Sequence, residues 1–303
     1  MTTPFERIIQ RLHPLATLVR ATKLHGGISA ETFALEIELP DGRMQKLIVR
    51  RQGDAYRDRP DAHIPVALEH ALLRALKAEG LPVPEPLFHD DSCEDLPTPF
   101  IVMEYVEGEP DFAPSDALAN ARQMAEVLAR IHAVDFSTHR LSSLPSLSDE
   151  VSRKIAARPE RLDDSISEGE IRGILMANWP LHRRNRDVLL HGDFWPGNIL
   201  WQSGRVAAVI DWEDAMLGDP LSDIANARLE ILWAYGADAM RAFTDHYQAL
   251  TGIDKANLPF WDLRAAIRPA FKIPLFAETP ATERTLRQQH HWFVSQARDA
   301  MQH

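Results

Sequence analysis

The chain has little cysteine, no long apolar run and no excess of basic residues. Its single cysteine, Cys93, cannot form an intramolecular disulfide, so a reducing cytoplasmic compartment is expected. No window approaches the roughly 18 uninterrupted apolar residues of a membrane span, and residues 1–7 lack a basic flank that leads into an apolar core. These absences predict a cytoplasmic protein that does not enter a membrane.

Basic residues are outnumbered by acidic ones, with 33 Lys and Arg against 44 Asp and Glu and a formal net charge of −11. Binding to a nucleic-acid backbone depends on clustered Lys and Arg that displace counterions, and no such cluster is present. Nucleic acid is therefore not an expected partner, whereas a cationic small substrate is compatible with this charge. The 303 residues are enough for one large domain or two modest ones with real cores.

The first hundred residues have the patterns of a small sheet and one helix. Apolar residues alternate over 33–39, a turn follows at Pro40-Asp41-Gly42, and 45–51 resumes as a strand, which together predict a β-hairpin. Pro65 to Glu79 is predicted to be a helix, since leucines recur every fourth residue and Gly80 can end it. An apolar strand at 100–103 precedes a predicted boundary between two lobes, residues 1–106 and residues 107–303.

The second part is predicted to be mainly helical. The stretch from Ser115 to His132 has one apolar face, and Ser115 is the expected N-cap. Short strands are expected at 188–190, 199–201 and 206–210, and residues from about 221 onward are largely helical in pattern. The strand predictions bracket the most informative polar residues of the chain.

Those residues are His191, Asp193 and Asn198, followed thirteen positions after the asparagine by Asp211. An Asp carboxylate and an Asn amide five residues apart on a tight loop, with a second carboxylate after the next strand, suit a site for magnesium and a hydroxyl nucleophile. Asp193 is the candidate general base, because a loop carboxylate stays ionised and can reach a hydroxyl proton. Asn198 and Asp211 supply hard oxygen ligands for Mg²⁺, and His191 is predicted to organise the loop.

The ordered series His191-Gly192-Asp193 through Asn198, then Ile210-Asp211-Trp212-Glu213, then Gly218-Asp219-Pro220-Leu221 extends over much of the second half of the chain. In this series the chain resembles the aminoglycoside phosphotransferase and choline kinase-like family, relatives of the eukaryotic protein kinases. Its Asp-Trp-Glu and Gly-Asp-Pro-Leu motifs resemble a branch also found fused to acyl-CoA dehydrogenase-like domains. The resemblance implies an α+β, two-lobed protein kinase-like fold, with a small β-rich N-terminal lobe and a larger, mainly helical C-terminal lobe.

The resemblance also implies an ATP-dependent kinase that transfers the γ-phosphoryl group to a hydroxyl of a small acceptor, with ATP and Mg²⁺ as cofactors. It assigns nucleotide contacts to a phosphate loop (Gly26, Gly27 and Ser29), an ion pair (Arg50 and Glu69) and a hinge (Glu104, Tyr105 and Val106). Arg50 occupies a position where many relatives have lysine, which keeps the charge but changes the reach. No Ala-Pro-Glu signature follows Asp211, so protein substrates are disfavoured.

The acceptor is an aminoglycoside-like molecule, an amino alcohol or another metabolite. Residues 211–245 contain eight acidic side chains against Arg228 and Arg241, which favours an ammonium-bearing acceptor. Trp261, Arg264, Arg268 and Lys272 recur at near-helical spacing, with core and surface roles expected. If these basic side chains point inward instead, an anionic acceptor becomes credible and the argument from the acidic residues fails.

Two other functions are compatible with the same residues. A nucleotide-binding module without turnover would have the same fold but would not catalyse phosphoryl transfer. A metal-dependent phosphoesterase would use Asp61-Ala62-His63 with Gly192-Asp193 and Gly197-Asn198, although its ligand set is poor. The expected assembly is a monomer or a homodimer.

Overall fold

The computed structural model of the chain describes residues 2–24, 30–53, 63–137, 141–157 and 159–301. The N-terminal elements are α1 (Pro4–Leu12), β1 (Thr17–Leu24), β2 (Ala30–Glu38), β3 (Met44–Gln52), α2 (Val66–Ala78), β4 (Pro86–Asp90) and β5 (Phe100–Glu104). Within the described residues the five strands form one antiparallel sheet in the order β1-β2-β3-β5-β4. The predicted hairpin is the β2-β3 pair.

Alternation along the strands decides which side chains enter the core of this sheet. Leu35 and Ile37 on β2 and Leu47 and Val49 on β3 are fully buried, whereas their neighbours are not. They pack with Ile8 and other apolar residues of α1 and β5 in a separate small core. Strand β3 lies between β2 and β5, so a residue near its end is held from both sides.

Helix α2 packs its leucine face into the larger core of the molecule. Leu72 and Leu76 are fully buried, as their spacing predicts, and Glu69 on the same helix is only 2% exposed. The larger core continues from α2 through β5 into the C-terminal helices without a break. The sheet and the helical part therefore share packing through α2.

The C-terminal part is mainly helical, as expected. Its helices are α3 (Ala117–His132), α4 (Leu147–Ala156), α5 (Glu168–Asn178), α6 (Leu221–Tyr235), α7 (Ala237–Thr251), α8 (Leu258–Ala266), α9 (Ile273–Phe276) and α10 (Pro280–Met301). Two short antiparallel pairs lie between α5 and α6, with β6 (Val188–Leu190) next to β9 (Met216–Gly218) and β7 (Ile199–Gln202) next to β8 (Arg205–Val209). No helix in the described ranges is long and apolar enough to cross a membrane.

One local prediction at the start of α3 is wrong. The N-cap is Asp116 rather than Ser115, since the Asp116 carboxylate accepts a hydrogen bond of 2.9 Å from the backbone of Ala119. Leu118, in the first turn, is 39% exposed and does not join the buried face with Ala121. A carboxylate accepts from the first free amides and opposes the positive helix N-terminus, so Asp is a strong competitor for this position.

Candidate active site

The loop between β6 and β7 owes its path to Gly192. This residue has φ +84°, and a Cβ placed on it would lie 2.0 Å from the backbone carbonyl oxygen of Asp214. Only glycine therefore allows the loop to pass so close to the segment that follows Asp211. The close approach brings the two halves of the sequence motif together.

His191 is fully buried beneath this loop and has three hydrogen-bond contacts there, one to a carboxylate and two to backbone groups. Its amide donates to Asp223 at 2.7 Å, its Nδ1 accepts from the amide of Asp193 at 3.2 Å, and its Nε2 donates to the carbonyl of Ile210 at 3.0 Å. Burial lowers the pKa of this imidazole, which favours the neutral form. These contacts match the predicted organising role.

Asp223, near the start of α6, fixes the loop from below. Its two carboxylate oxygens accept from the backbone amides of His191 and Gly192, at 2.7 and 3.0 Å. Asn226, three residues along the helix, donates to the carbonyl of Phe194 at 3.2 Å. One face of α6 therefore holds the loop by its backbone, which leaves the Asp193 side chain directed away from the core.

Asp193 is the predicted general base, and its carboxylate has a partner on each oxygen. Oδ1 accepts from Nη2 of Arg268 at 2.7 Å, and Oδ2 lies 3.3 Å from the Asn198 amide nitrogen. Arg268 also donates to the carbonyl of Gly192 at 3.1 Å. The side chain of Asp193 is 32% exposed, so a small molecule has access to it.

The two predicted metal ligands lie next to this base. The Asn198 amide nitrogen donates to the backbone carbonyl of Asp193 at 2.9 Å, and its amide oxygen has no donor among the described residues. The carbonyl of Asn198 also accepts from the amide of Ile210 at 2.9 Å, which places Asp211 beside it. Asp211 itself has φ +68°. The two predicted ligand residues are therefore neighbours in the fold.

Arg50 joins this site to the small sheet. Its guanidinium bonds to Glu69 on α2, to Asp211 at 3.2 Å and to Glu213 at 2.5 Å. Burial opposes the charge on Arg50, but the three carboxylates outweigh it and raise its pKa above the usual value. The predicted Arg50–Glu69 pair is formed, and Glu213 is a further partner that the motif contained without a role.

The carboxylates around Arg50 are not fully neutralised by it. Burial raises the pKa of Asp211 to about 7, Arg50 opposes this, and negative charge on Glu213, Glu69 and Asp193 adds to it. Burial likewise raises the pKa of Glu69. A group of acids that resist ionisation together is an environment in which a bound cation is favoured.

The remaining nucleotide residues lie in two places. Gly26, Gly27 and Ser29 lie outside the described residues. Glu104 ends β5, and its carboxylate accepts from Lys77 at 3.3 Å and from the amide of Glu85 at 3.2 Å. Tyr105 and Val106 continue from it, and neither has a backbone hydrogen bond to any described residue. Their peptide groups are therefore available to another molecule.

Trp261 and the three basic residues at near-helical spacing after it differ in their surroundings. Trp261 is buried, Arg264 bonds to Glu150 at 2.5 Å, and Lys272 is exposed, as the core and surface expectation has it. For Arg268 the expected core or surface role is wrong, because its guanidinium bonds to the carboxylate of Asp193, the candidate general base. The 75 positions between Arg268 and Asp193 explain why sequence reasoning missed the contact.

The acidic segment 211–245 does not form an open negative surface. Most of its carboxylates already have basic or backbone partners, namely Asp211, Glu213, Asp214, Asp219, Asp223, Asp238 and Asp245. Glu230 differs, since no described residue gives it a hydrogen bond or an ion pair. Burial raises its pKa to about 7, and Asp193 adds to the shift.

The ligands expected for a phosphoesterase are not brought together. His63 bonds through Nδ1 to Asp214 at 3.2 Å, and Asp61 lies outside the described residues. Within the described ranges, no group of three or more His, Cys, Asp and Glu side chains is arranged to hold a metal by itself. This arrangement gives the phosphoesterase alternative no support.

Comparison with known proteins identifies relatives that are phosphotransferases, in keeping with the residues of the site. Residues 20–262 match the model of the phosphotransferase enzyme family. The mouse protein acyl-CoA dehydrogenase family member 10 is 32% identical over 209 residues, which are 64% of this chain and 19% of that protein. Hygromycin-B 4-O-kinase of Escherichia coli is 50% identical over 38 residues, which are 12% of this chain and 11% of that one.

The fold has close counterparts among solved structures. A thermostable mutant of the aminoglycoside phosphotransferase APH(4)-Ia, in ternary complex with ADP and hygromycin B, superposes with a TM-score of 0.65 at 18% identity, covering 97% of this chain and 98% of that one. This likeness confirms the expected kinase-like fold. The family match confirms the expected enzyme class, a phosphotransferase with an alcohol group as acceptor. From its motif series and the match over residues 20–262, the chain belongs to the phosphotransferase enzyme family.

Proposed function

We propose that this chain is a cytoplasmic, ATP-dependent small-molecule kinase that transfers the γ-phosphoryl group to a hydroxyl of its acceptor. One observation carries the proposal: a loop carboxylate, two hard oxygen ligands and a buried Arg–Glu pair from distant parts of the chain meet at one site. Phosphoryl transfer depends mainly on positioning and on stabilising negative charge, which is what such a set provides.

Asp193 orients the acceptor hydroxyl and takes up its proton as the oxygen attacks phosphorus. His191, Asp223 and Asn198 hold the backbone of the loop and so fix the point from which the Asp193 carboxylate reaches the hydroxyl. Arg268 is bonded to one oxygen, and the other has only the 3.3 Å contact with the Asn198 amide, so that oxygen accepts the hydroxyl as its second donor.

Asn198 and Asp211 would hold Mg²⁺. The pair fits this ion, since Mg²⁺ takes one or two protein oxygens and fills its octahedron with phosphate oxygens and water. The free amide oxygen of Asn198 and the excess of carboxylates around Asp211 are the observations that favour a cation here. When bound, the ion supplies positive charge to the phosphate oxygens.

Arg50 holds the nucleotide phosphates, and Glu69 fixes the direction of its guanidinium. Gly26, Gly27 and Ser29, which precede β2 in the sequence, contact the phosphates as well. Glu104, Tyr105 and Val106 form the hinge, where the unpaired peptide groups of Tyr105 and Val106 bind adenine. Residues 1–106 then act as the nucleotide lobe and residues 107–303 as the catalytic and acceptor lobe.

The acceptor is a small molecule, and the names of the relatives point to two different classes of compound. One relative is named for the antibiotic hygromycin B, and another is named for acyl-CoA dehydrogenases. The chain spans 19% of the length of the mouse relative, so the activity of that whole protein is a separate question. Near Asp193 a positive Arg268 and an acidic Glu230 occur together, and we therefore include cationic, neutral and anionic alcohols as candidates.

The test is a screen of antibiotics and metabolites for acceptor-dependent ATP consumption with Mg²⁺. The blank is Asp193→Asn, which keeps the shape and removes the base, and Asp187→Asn is the matched surface control. We expect the first variant to lose at least about 100-fold in turnover, which is the usual contribution of a general base, and the second to match wild type.

Two results would overturn the proposal. In one, ATP with Mg²⁺ leaves the thermal midpoint unchanged and is not consumed with any acceptor. In the other, Asp193→Asn and wild type consume ATP equally. Binding of ATP without turnover across the panel would favour the nucleotide-binding module.

A further inference from the structure

A cleft of about 750 Å³ lies away from the candidate base, between α3, α7 and the segment before β6. Its floor includes His132 and Tyr247, which are both buried, and Val188, the first residue of β6. Its rim has three arginines, Arg130, Arg184 and Arg186, among its described lining residues, against the carboxylate of Glu126. A volume of this size fits a metabolite-sized molecule.

Two of the rim arginines are held in place by the residue between them. Asn185 donates to Asp219 at 3.2 Å and to the backbone carbonyl of Asp254 at 3.0 Å, and it accepts from the amide of Asp254 at 3.2 Å. The backbone of the segment 184–186 is therefore fixed, whereas the guanidinium groups on either side of Asn185 extend over the cleft.

These two guanidinium groups have unused donors. Arg184 reaches its nearest carboxylate, on Asp254, only at 3.8 Å. Arg186 has no hydrogen bond or ion pair with any described residue, and it lies near enough to Tyr247 to act on that hydroxyl electrostatically. On Glu126 the carboxylate is engaged by His246 at 3.1 Å. The planar donors of arginine match the oxygens of a phosphate group.

The floor of the cleft is connected to the catalytic loop by a buried chain of hydrogen bonds. The Tyr247 hydroxyl lies 2.6 Å from Nδ1 of His132, and Nε2 of His132 lies 3.2 Å from Oδ2 of Asp223. That same oxygen accepts from the amide of His191, and the other accepts from Gly192. Three side chains thus link the cleft to the backbone next to Asp193.

From this arrangement we propose that the cleft is a second binding site, for a phosphate-bearing small molecule, and that its occupancy is transmitted to the catalytic loop through Tyr247, His132 and Asp223. Arg184 and Arg186 bind the phosphate oxygens. A phosphate there restrains the Tyr247 hydroxyl and hence the Asp223 carboxylate, on which the amides of His191 and Gly192 depend. The site is separate from the nucleotide site and needs no contact with it.

Binding is tested by calorimetric titration of the full chain with inorganic phosphate. The double variant Arg184→Gln/Arg186→Gln should weaken phosphate binding by at least about tenfold, because charge-assisted hydrogen bonds are lost. Arg241→Gln is the matched control, since Arg241 is an exposed arginine that bonds to Asp238 on the same helix and does not line the cleft. Equal affinities of wild type and the double variant would overturn the site.

Transmission is tested by hydrogen exchange of the peptide that contains His191 and Gly192. Phosphate should slow its exchange about fivefold or more in wild type, the lower end of coupling between sites, and should have no effect in the double variant. Tyr247→Phe keeps the ring and removes the hydroxyl, so it should bind phosphate within about twofold of wild type and lose the exchange response. A wild-type peptide that exchanges equally with and without phosphate would refute transmission.

Discussion

A single guanidinium, that of Arg50, joins three carboxylates from two segments of the chain: Glu69 on α2, and Asp211 and Glu213 after β8. Glu69 and Glu213 are buried, and Asp211 is partly exposed. Lysine would supply the same charge from one nitrogen, without a planar fork to serve several acids at once. The arginine therefore holds the sheet to the catalytic half, in addition to the phosphate contact that we propose for it.

Removing this charge should destabilise the fold as well as the site. We expect Arg50→Gln to lower the free energy of unfolding by roughly 3–5 kcal/mol, since buried carboxylates lose their partner. Arg50→Lys should lose less. Denaturant unfolding measures both, and the added change Glu69→Gln should recover part of the loss in Arg50→Gln. An Arg50→Gln variant as stable as wild type would contradict this reading.

The raised pKa of Glu230 leads us to expect that the free energy of unfolding depends on pH. Its folded pKa is raised to about 7 by burial, with Asp193 adding to the shift and Arg268 opposing it, whereas an unfolded glutamate titrates near 4.5. Between these values the folded chain binds more protons than the unfolded chain, so its contribution to stability falls as pH rises. Glu230→Gln should therefore match wild type in Tm near pH 4.5 and exceed it near pH 8.

The control for Glu230 is Glu160→Gln, a glutamate on the exposed surface. Its difference from wild type should stay the same across that pH range. A gain of equal size at both pH values in Glu230→Gln would show that packing rather than ionisation was responsible.

Helix α3 provides a test of capping, because the expected and observed caps are neighbours. Asp116→Ala should lower the free energy of unfolding by about 1 kcal/mol, since the amide of Ala119 loses its acceptor. Ser115→Ala, one position away, should leave it unchanged. Chemical denaturation measures the free energy of unfolding of both variants. Equal decreases in the two would mean that neither side chain caps the helix alone.

The elements that the sequence predicts are those with strong local patterns. The hairpin, α2 and the strands around the motif follow from alternation, leucine spacing and turn residues that are close in sequence. Helix α1 and strand β1 were not expected, although α1 has a Thr3–Glu6 capping box. The choice between Ser115 and Asp116 depends on backbone geometry that a pattern does not contain.

The site residues, too, include some that the sequence predicts and some that depend on tertiary packing. Asp193, Asn198 and Asp211 belong to one short ordered motif, and Glu69 is assigned as the partner of Arg50 by the family resemblance. Arg268 and the partners of the acidic segment depend on how distant helices pack, and charge counts along the chain do not reveal which carboxylates are already paired. The predicted roles of the nucleotide and metal residues remain predictions.

Packing across the molecule predicts how it unfolds. All tryptophans lie at position 179 or later, so their fluorescence reports only on the helical part. Leu72 on α2 belongs to the core that continues into that part, whereas Leu35 belongs to the small core of the sheet. Leu72→Ala should lower the midpoint of the tryptophan transition in denaturant, with a loss of roughly 2–5 kcal/mol.

Leu35→Ala removes the same atoms from an equally buried position and is the matched comparison. It should shift the tryptophan transition less than Leu72→Ala does. If Leu72→Ala left that transition in place, the two parts would unfold independently in spite of their shared core.

The contact between Arg268 and Asp193 bears on a side reaction of the ATP-dependent transfer that we propose. A base that activates a hydroxyl can equally activate water, and the nucleotide is then hydrolysed with no product made. In the resting chain one oxygen of Asp193 is bound to a guanidinium at 2.7 Å, so the carboxylate is a weaker acceptor for a stray water molecule. Only the oxygen on the Asn198 side is then open to a donor, which limits the positions from which a water molecule can be activated.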